Sequence, residues 1–261
     1  MRELQPRVAI YKTSGINCDA ETAFAFNLAG GKAEIVMSED LKKGEKKLFD
    51  YKILTFPGGF SYGDDLGSGT VATLELDTYL GDKLQRFKET GLILGICNGA
   101  QMLVRSGLLP MGTLEDRQAT LDRNNSGKFL GRPVRLSFER SICVFLQDPE
   151  PNSPIELQVA HGEGKFVMSP SILSQIESNR QVIFRYVDPK GLPTQEYPFN
   201  PNGSPNAIAG ITDPSGRIVG LMPHPERSIL KSQYPNWRRM GDFKPQGLEF
   251  FERMVKYASQ M

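Results

Sequence analysis

The sequence lacks most of what would place a protein in a membrane, on nucleic acid or in an oxidising compartment. No stretch approaches the roughly 18 consecutive apolar residues of a transmembrane helix. The opening residues, MRELQPRVAIYKTSG, have no apolar core of the kind that drives secretion. Neither sign of charge dominates, with 31 Lys plus Arg against 30 Asp plus Glu. That balance gives no electrostatic reason to expect nucleic acid or an anionic membrane as partner. Cysteines number only three, widely spaced and odd in count, so they form no disulfide framework. A thiol-reduced, cytoplasmic protein is the expectation. There is no G-x-x-x-x-G-K-[ST] phosphate loop, since GGKAE at 30–34 does not fit it. Nor is there an Asp/Asn cluster suited to metal, so no metal and no cofactor are expected in this chain.

What is present is an alternation. RVAIYK, KAEIVMS, DYKILTFPGG and LILGI read as strands; DAETAFAFNLAGG, LDTYLGDKLQRFKETG and NGAQMLVRSG read as helices. Alternation of this kind implies right-handed crossovers and a parallel sheet covered on both faces. Strands buried on both faces also explain continuous apolar runs in place of period-two patterning. The second half differs. RPVRLSF, SICVFL, ELQVAHGEGKFVM, QVIFRYVD and NAIAGITDPSGRIVGLMPH are strand-like, with DPSG as a turn. PKGLPTQEYPFNPNGSP reads as a loop, and QGLEFFERMVKYAS as a terminal helix. The fold predicted is α/β: an open, mostly parallel sheet with helices on both faces and a mixed or antiparallel extension in the second half. No compositional break divides the chain, so one domain over 1–261 is expected, with a C-terminal extension from about 231.

One short stretch carries the chemistry. In GICNG, Cys97 stands between an apolar strand and a helix, with Gly95 and Gly99 two residues to either side. A nucleophile on a sharp strand-to-helix turn is lifted out at the carboxyl end of the sheet, where open α/β folds bind ligands. The helix N-terminus offers free N–H groups and partial positive charge, which favour a thiolate and can hold an oxyanion. The alternative for Cys97 is a structural cysteine at a strand end. Cys18, before a helix in GINCDAET, and Cys143, within the strand-like SICVFL, are expected to be small buried hydrophobes.

A nucleophilic cysteine needs a base and a group to orient it. The chain has only two histidines, and each has a glutamate at i+2: His161 with Glu163, and His224 with Glu226. In extended chain, i and i+2 face the same side. Prolines 223 and 225 stiffen the segment around His224, whereas glycines 162 and 164 flank Glu163 and favour close backbone approach to a ligand. Rigidity argues for His224 and Glu226 as base and orienter, with His161 and Glu163 still open as an alternative.

Taken together, these residues resemble the class I, triad-type glutamine amidotransferases. Gly95, Cys97, Gly99 and Gln101 meet the pattern G-x-C-x-G-x-Q, and His224 and Glu226 meet a late His-x-Glu. FPGGFSYGDDLGSGTVA, GICNGAQMLVRSGLLP, HGEGKF, NPNGS, GLMPHPERS and the early GINCDAETAFAFNLAGGKAEIV are similar, more narrowly, to the family of glutaminase subunits of phosphoribosylformylglycinamidine synthase in purine biosynthesis. The likeness runs over about residues 8–230. The segment around Pro189–Pro198 and the tail after Leu230 look longer than the compact form of that subunit.

The resemblance implies a thioester route. Cys97 would attack the amide of L-glutamine, His224 would move the protons and Glu226 would orient the imidazole. Backbone N–H groups at Gly59 and Asn98 would form the oxyanion hole. Gly58, Gln101, His161, Gly162 and Glu163 would bind glutamine, which assigns His161 to the binding strand and not to the triad. It also implies two partners: a large synthetase subunit, carrying ATP and Mg2+, that receives the ammonia, and a small bridging subunit. Within the same fold, the alternatives are the glutaminase of another amidotransferase or a γ-glutamyl hydrolase; a non-catalytic thiol sensor is the alternative of a different class.

Overall fold

The computed structural model describes residues 5–114, 116–147 and 154–261. Strands β1 (Arg7–Lys12), β2 (Lys32–Met37), β3 (Ile53–Phe56) and β4 (Leu92–Ile96) alternate with helices α1 (Asp19–Leu28), α2 (Ser38–Lys43) and α3 (Thr70–Phe87). Helices α4 (Asn98–Arg105) and α5 (Leu108–Met111) follow, then β5 (Ala119–Arg123), β6 (Leu130–Phe138), β7 (Ile155–His161) and β8 (Glu163–Met168). Helix α6 (Pro170–Ser178), β9 (Val182–Tyr186), β10 (Ile208–Thr212), β11 (Ile218–Leu221) and α7 (Gln246–Ser259) complete the order.

Nine of the strands form one sheet in the order β2-β1-β3-β4-β11-β10-β9-β6-β7. From β2 to β11 every pairing is parallel; from β11 to β7 every pairing is antiparallel. The predicted parallel sheet and its antiparallel extension are therefore one continuous layer. Strands β3, β4 and β11 are buried at every residue, which accounts for sequences that are apolar apart from Thr55. Truncating a core side chain such as Ile93 to alanine is expected to cost roughly 2–5 kcal/mol, the range for a cavity left in a close-packed interior.

The far end of the sheet returns toward its middle. The backbone of Gln158 on β7, last in sheet order, pairs with His224, which follows β11. The separate pair β5–β8 lies beside α4. The carboxyl ends of β3, β4 and β11 are thereby closed over by the end of β7 and the start of β8.

Two expectations need correction. Helix α3 begins at Thr70, not near Leu76, because the uncharged, β-branched start TVAT hides a helical turn that tertiary burial of Ala72, Thr73 and Leu76 stabilises. SICVFL is not a strand: its backbone is turn and loop, bonded to Arg180 and Gly216, and its apolar side chains cap the core. In the tail, α7 packs on α1, with Phe251 and Phe26 edge to face at 4.8 Å. Among the described residues no helix is long and apolar enough to cross a membrane.

Candidate active site

Cys97 sits at the turn from β4 to α4 with φ 51°, a left-handed conformation that costs a non-glycine residue roughly 1–3 kcal/mol and persists only where its surroundings enforce it. Its N–H donates to the Leu221 carbonyl at 2.8 Å, so β11 holds the turn. The two flanking glycines are required by close approach. A Cβ on Gly99 would lie 1.9 Å from the Phe56 carbonyl oxygen, and one on Gly95 would lie 2.7 Å from the Gly99 carbonyl. Strand β3, strand β4 and helix α4 meet there with no room for a methyl group. The Cys97 thiol points toward β7 and donates to the Ala160 carbonyl at 3.6 Å.

His224 arrives from the other side. Its N–H donates to the Gln158 carbonyl at 2.7 Å, and its Nδ1 lies 2.5 Å from Glu226 Oε1. A carboxylate accepts, so Nδ1 carries the proton and Nε2 is left as the basic edge. Both side chains are buried, and Nε2 makes no hydrogen bond among the described residues. Burial alone would push the imidazole toward neutrality; the Glu226 carboxylate, Cys97 and Cys18 outweigh it and raise the His224 pKa well above the ordinary histidine value.

The loop after β3 forms the third wall. The Gly58 carbonyl accepts from the Cys18 N–H at 3.1 Å, and Phe60 N–H donates to Gly15 at 3.0 Å. Because carbonyl and N–H oppose each other across a planar peptide, this turns the Gly59 N–H away from α1. A Cβ on Gly58 would stand 2.6 Å from His224 Cε1, so only glycine lets the loop lie against the imidazole. Asn98 ties this loop to α4: its Oδ1 accepts from Ser61 N–H and its Nδ2 donates to Asp64 Oδ1, both at 3.3 Å. Burial raises the Asp64 pKa, against the pull of its bond from Ser68.

The remaining residues singled out by sequence gather on the same side. Gln101 donates to the Glu163 carbonyl at 2.5 Å and accepts from Asn98 at 3.1 Å. The Glu163 carboxylate takes the Ser68 N–H at 3.1 Å and faces Arg105 at 3.5 Å. Gly162 gives its carbonyl to the Asn124 N–H at 2.9 Å. The His161 side chain turns inward: Nδ1 meets Asn124 Oδ1 at 3.0 Å, and burial, with the His224 charge adding to it, lowers its pKa to about 3. The ring packs against Gly164, and the Glu163 carboxylate, taken up by Ser68 and Arg105, makes no bond to it, unlike the His224–Glu226 pair.

Two further residues border the site: Cys18, expected only as a small buried hydrophobe, and Arg227, for which the sequence predicts no role. Cys18 is buried, yet Arg227 Nη2 donates to its Sγ at 3.1 Å, and its Sγ lies within 4.8 Å of a nitrogen of His224 and of the Glu226 carboxylate. Burial raises its pKa, with the Glu226 carboxylate adding to it, in spite of the opposing pull of His224 and Arg227. The only trace in sequence is position, a small residue at the start of α1 beside the glycine loop. Cys143 is the buried hydrophobe expected, its thiol pushed up to about 12 by burial, though in a loop and not a strand.

Comparison with known proteins shows the family. The family model for the CobB/CobQ-like glutamine amidotransferase domain matches residues 5–258. Phosphoribosylformylglycinamidine synthase subunit PurQ of Dehalococcoides mccartyi is 44% identical over 98% of both chains. The PurQ subunit of Methanococcus maripaludis strain C7 is 41% identical over 98% of this chain and 99% of its own. These relatives extend through the tail after Leu230. Among solved structures, a chain of PurLQS from Thermotoga maritima superposes with a TM-score of 0.74 at 30% identity, covering 97% of this chain and 99% of that one. The chain belongs to the CobB/CobQ-like glutamine amidotransferases and, within them, to the PurQ family of phosphoribosylformylglycinamidine synthase subunits.

Proposed function

We propose that this chain is the glutaminase subunit of phosphoribosylformylglycinamidine synthase: it releases ammonia from L-glutamine for an ATP-dependent synthetase that makes formylglycinamidine ribonucleotide from formylglycinamide ribonucleotide. The observation that carries the reading is that Cys97, on its strained turn, lies near enough to the buried His224–Glu226 pair to help raise the His224 pKa, in a chain of this family.

The chemistry follows from the groups present. The Cys97 thiolate attacks the side-chain carbonyl carbon of glutamine, and the oxygen takes up negative charge beside the N–H groups of Gly59 and Asn98. One such donor is typically worth about 3–4 kcal/mol in the transition state. His224, protonated on both nitrogens, gives its Nε2 proton to the departing nitrogen, and the C–N bond breaks to leave ammonia and a γ-glutamyl thioester. Nε2 then takes a proton from water, the hydroxide adds to the thioester, and glutamate leaves as the C–S bond breaks. Glu226 accepts from Nδ1 throughout, which fixes the ring and offsets its charge. The backbone around Gly58, Gly162 and Glu163, braced by Gln101, would hold the glutamine, with His161 supporting that strand from within.

A partner is part of the same reading. Ammonia free in water at neutral pH is mostly protonated and no longer a nucleophile, so release must be coupled to its consumption. ATP and Mg2+ belong with the synthetase subunit, and a small bridging subunit completes the assembly. The chain acts as one amidotransferase unit over 1–261, with the segment from about 231 as its C-terminal extension, in the cytoplasm where its three unpaired thiols stay reduced. The test is the steady-state glutaminase rate of the chain alone and with synthetase, ATP and Mg2+. The reading predicts weak activity alone and strong stimulation in the assembly. Full activity alone, unchanged by partner, would point to a stand-alone glutamyl hydrolase.

A further inference from the structure

The loop that follows the oxyanion glycines is held in an unfavourable shape. Tyr62, Gly63 and Asp64 are consecutive residues with φ 53°, 71° and 56°. Two of the three carry side chains, and Tyr62 is bulky, for which a positive φ is a genuine outlier. Such a run persists only where other contacts over-determine it.

Backbone bonds from the Tyr62 N–H to the Ser14 carbonyl and from the Gly63 N–H to the Phe60 carbonyl, each 2.9 Å, fix part of it, and the Tyr62 side chain is held at one carboxylate. Tyr62 Oη donates to Glu75 Oε2 at 2.9 Å and accepts from Thr13 Oγ1 at 3.0 Å. Glu75 also lies 3.4 Å from Tyr11 Oη and 3.3 Å from Thr13 Oγ1, and it pairs with Lys42. Its side chain is only 13% exposed. Glu75 therefore joins the end of β1, helix α2 and helix α3 to the tip of this loop. At the loop's other end, Ser61 and Asp64 are tied to Asn98, the residue next to the nucleophile. Gly59 stands three residues before Tyr62, with only Phe60 and Ser61 between. The path from Glu75 to the proposed oxyanion donor is thus short, and every step is a hydrogen bond or a peptide.

We propose that Glu75 and Tyr62 are positioning residues for the oxyanion hole: the Tyr62–Glu75 bond holds the strained turn that presents the Gly59 N–H to the reacting carbonyl. The inference rests on the glutaminase reading above. It places a determinant of turnover on α3, outside the glutamine-contacting set, and gives the strained turn a purpose. A relaxed turn would let the Gly58–Gly59 peptide drift from the one orientation in which its N–H faces the oxyanion. Ground-state binding of glutamine would be little affected, because the donor is used chiefly when charge develops on the oxygen.

The experiment compares wild type, Tyr62→Phe, Glu75→Gln and the double variant, each assembled with the synthetase and assayed for glutaminase kcat and KM. Each single variant is isosteric or loses one oxygen, and thermal melting checks folding. The expectation is a fall in kcat of roughly tenfold, short of the 10²–10³ that follows outright loss of an oxyanion donor, with KM within about twofold. The double variant should lose less than the product of the two single losses, because both weaken the Tyr62–Glu75 contact, while Glu75→Gln also removes the charge paired with Lys42. Thr13→Val, which leaves the Tyr62–Glu75 bond itself in place, should lose less than either. Unchanged kcat in Tyr62→Phe and Glu75→Gln, or a loss carried by KM alone, overturns the proposal. If wild type itself hydrolyses no glutamine in the assembly, it is the functional reading that fails and not the latch.

Discussion

His224 Nδ1 and Glu226 Oε1 are 2.5 Å apart, both buried, with a proline on either side of the histidine. No comparable bond joins His161 to Glu163, although the two pairs share one spacing in the sequence. This difference supports the roles proposed for them, a base pair at His224 and a binding strand at His161, and it predicts different kinetics. His224→Ala should lower kcat for glutamine hydrolysis by about 10⁴–10⁶, the loss that follows removal of a triad member. His161→Ala should act mainly by raising KM, since its place is behind the backbone that holds the substrate. Steady-state kinetics of both variants in the assembled enzyme decide the matter, and the reverse pattern would move the base to His161.

The three thiols should differ in reactivity. Cys143 is fully buried, and burial raises the pKa of both Cys18 and Cys143. Thiolate, not thiol, is the nucleophile. Limiting iodoacetamide should therefore label one cysteine quickly, and mass spectrometry should find the label on Cys97. Cys18→Ala should leave that fast label in place, whereas Cys97→Ala should abolish it. Rapid labelling of Cys18 would contradict the assignment of its thiol to a packing and hydrogen-bonding role beside Arg227.

Stability should depend on pH through His161. Its folded pKa is about 3, against an ordinary value of 6.5. Between these limits the unfolded chain binds a proton that the folded chain refuses, so stability falls as pH drops through that window. His224 has the opposite sign: its raised pKa contributes stability that is fully present below the ordinary histidine value and lost as pH rises through the folded one. Urea unfolding at pH 7 and pH 4.5 should show a smaller acid-side loss in His161→Gln than in wild type. Equal losses would mean that His161 is not held neutral in the fold.

Much of this arrangement is written locally in the sequence. Gly95, Cys97 and Gly99 announce the turn by their spacing, although only the close approach at Gly95 is local and the one at Gly99 is made by Phe56 on β3. The strands β3, β4 and β11 are legible because two-sided burial leaves them apolar at every position but Thr55. The convergence of β7 on His224 is not legible, since the Gln158–His224 pairing joins segments far apart in sequence. Cys18 and Glu75 were hidden for a related reason. A small residue at a helix start and a glutamate on a helix face look ordinary until the fold brings Arg227 to one and Tyr62 to the other. SICVFL misled because apolar residues in a capping loop and in a strand share one composition.

In the proposed mechanism Cys97 forms the thioester, and nothing downstream of ammonia needs it. The direct measurement is formylglycinamidine ribonucleotide synthesis by the assembled complex of wild type and of Cys97→Ala, with glutamine or an ammonium salt as nitrogen donor. The account predicts that Cys97→Ala abolishes glutamine-dependent synthesis while ammonia-dependent synthesis continues at the wild-type rate. Parallel loss of both activities would make Cys97 a structural residue, and glutamine-dependent synthesis persisting within tenfold of wild type would place the nucleophile elsewhere.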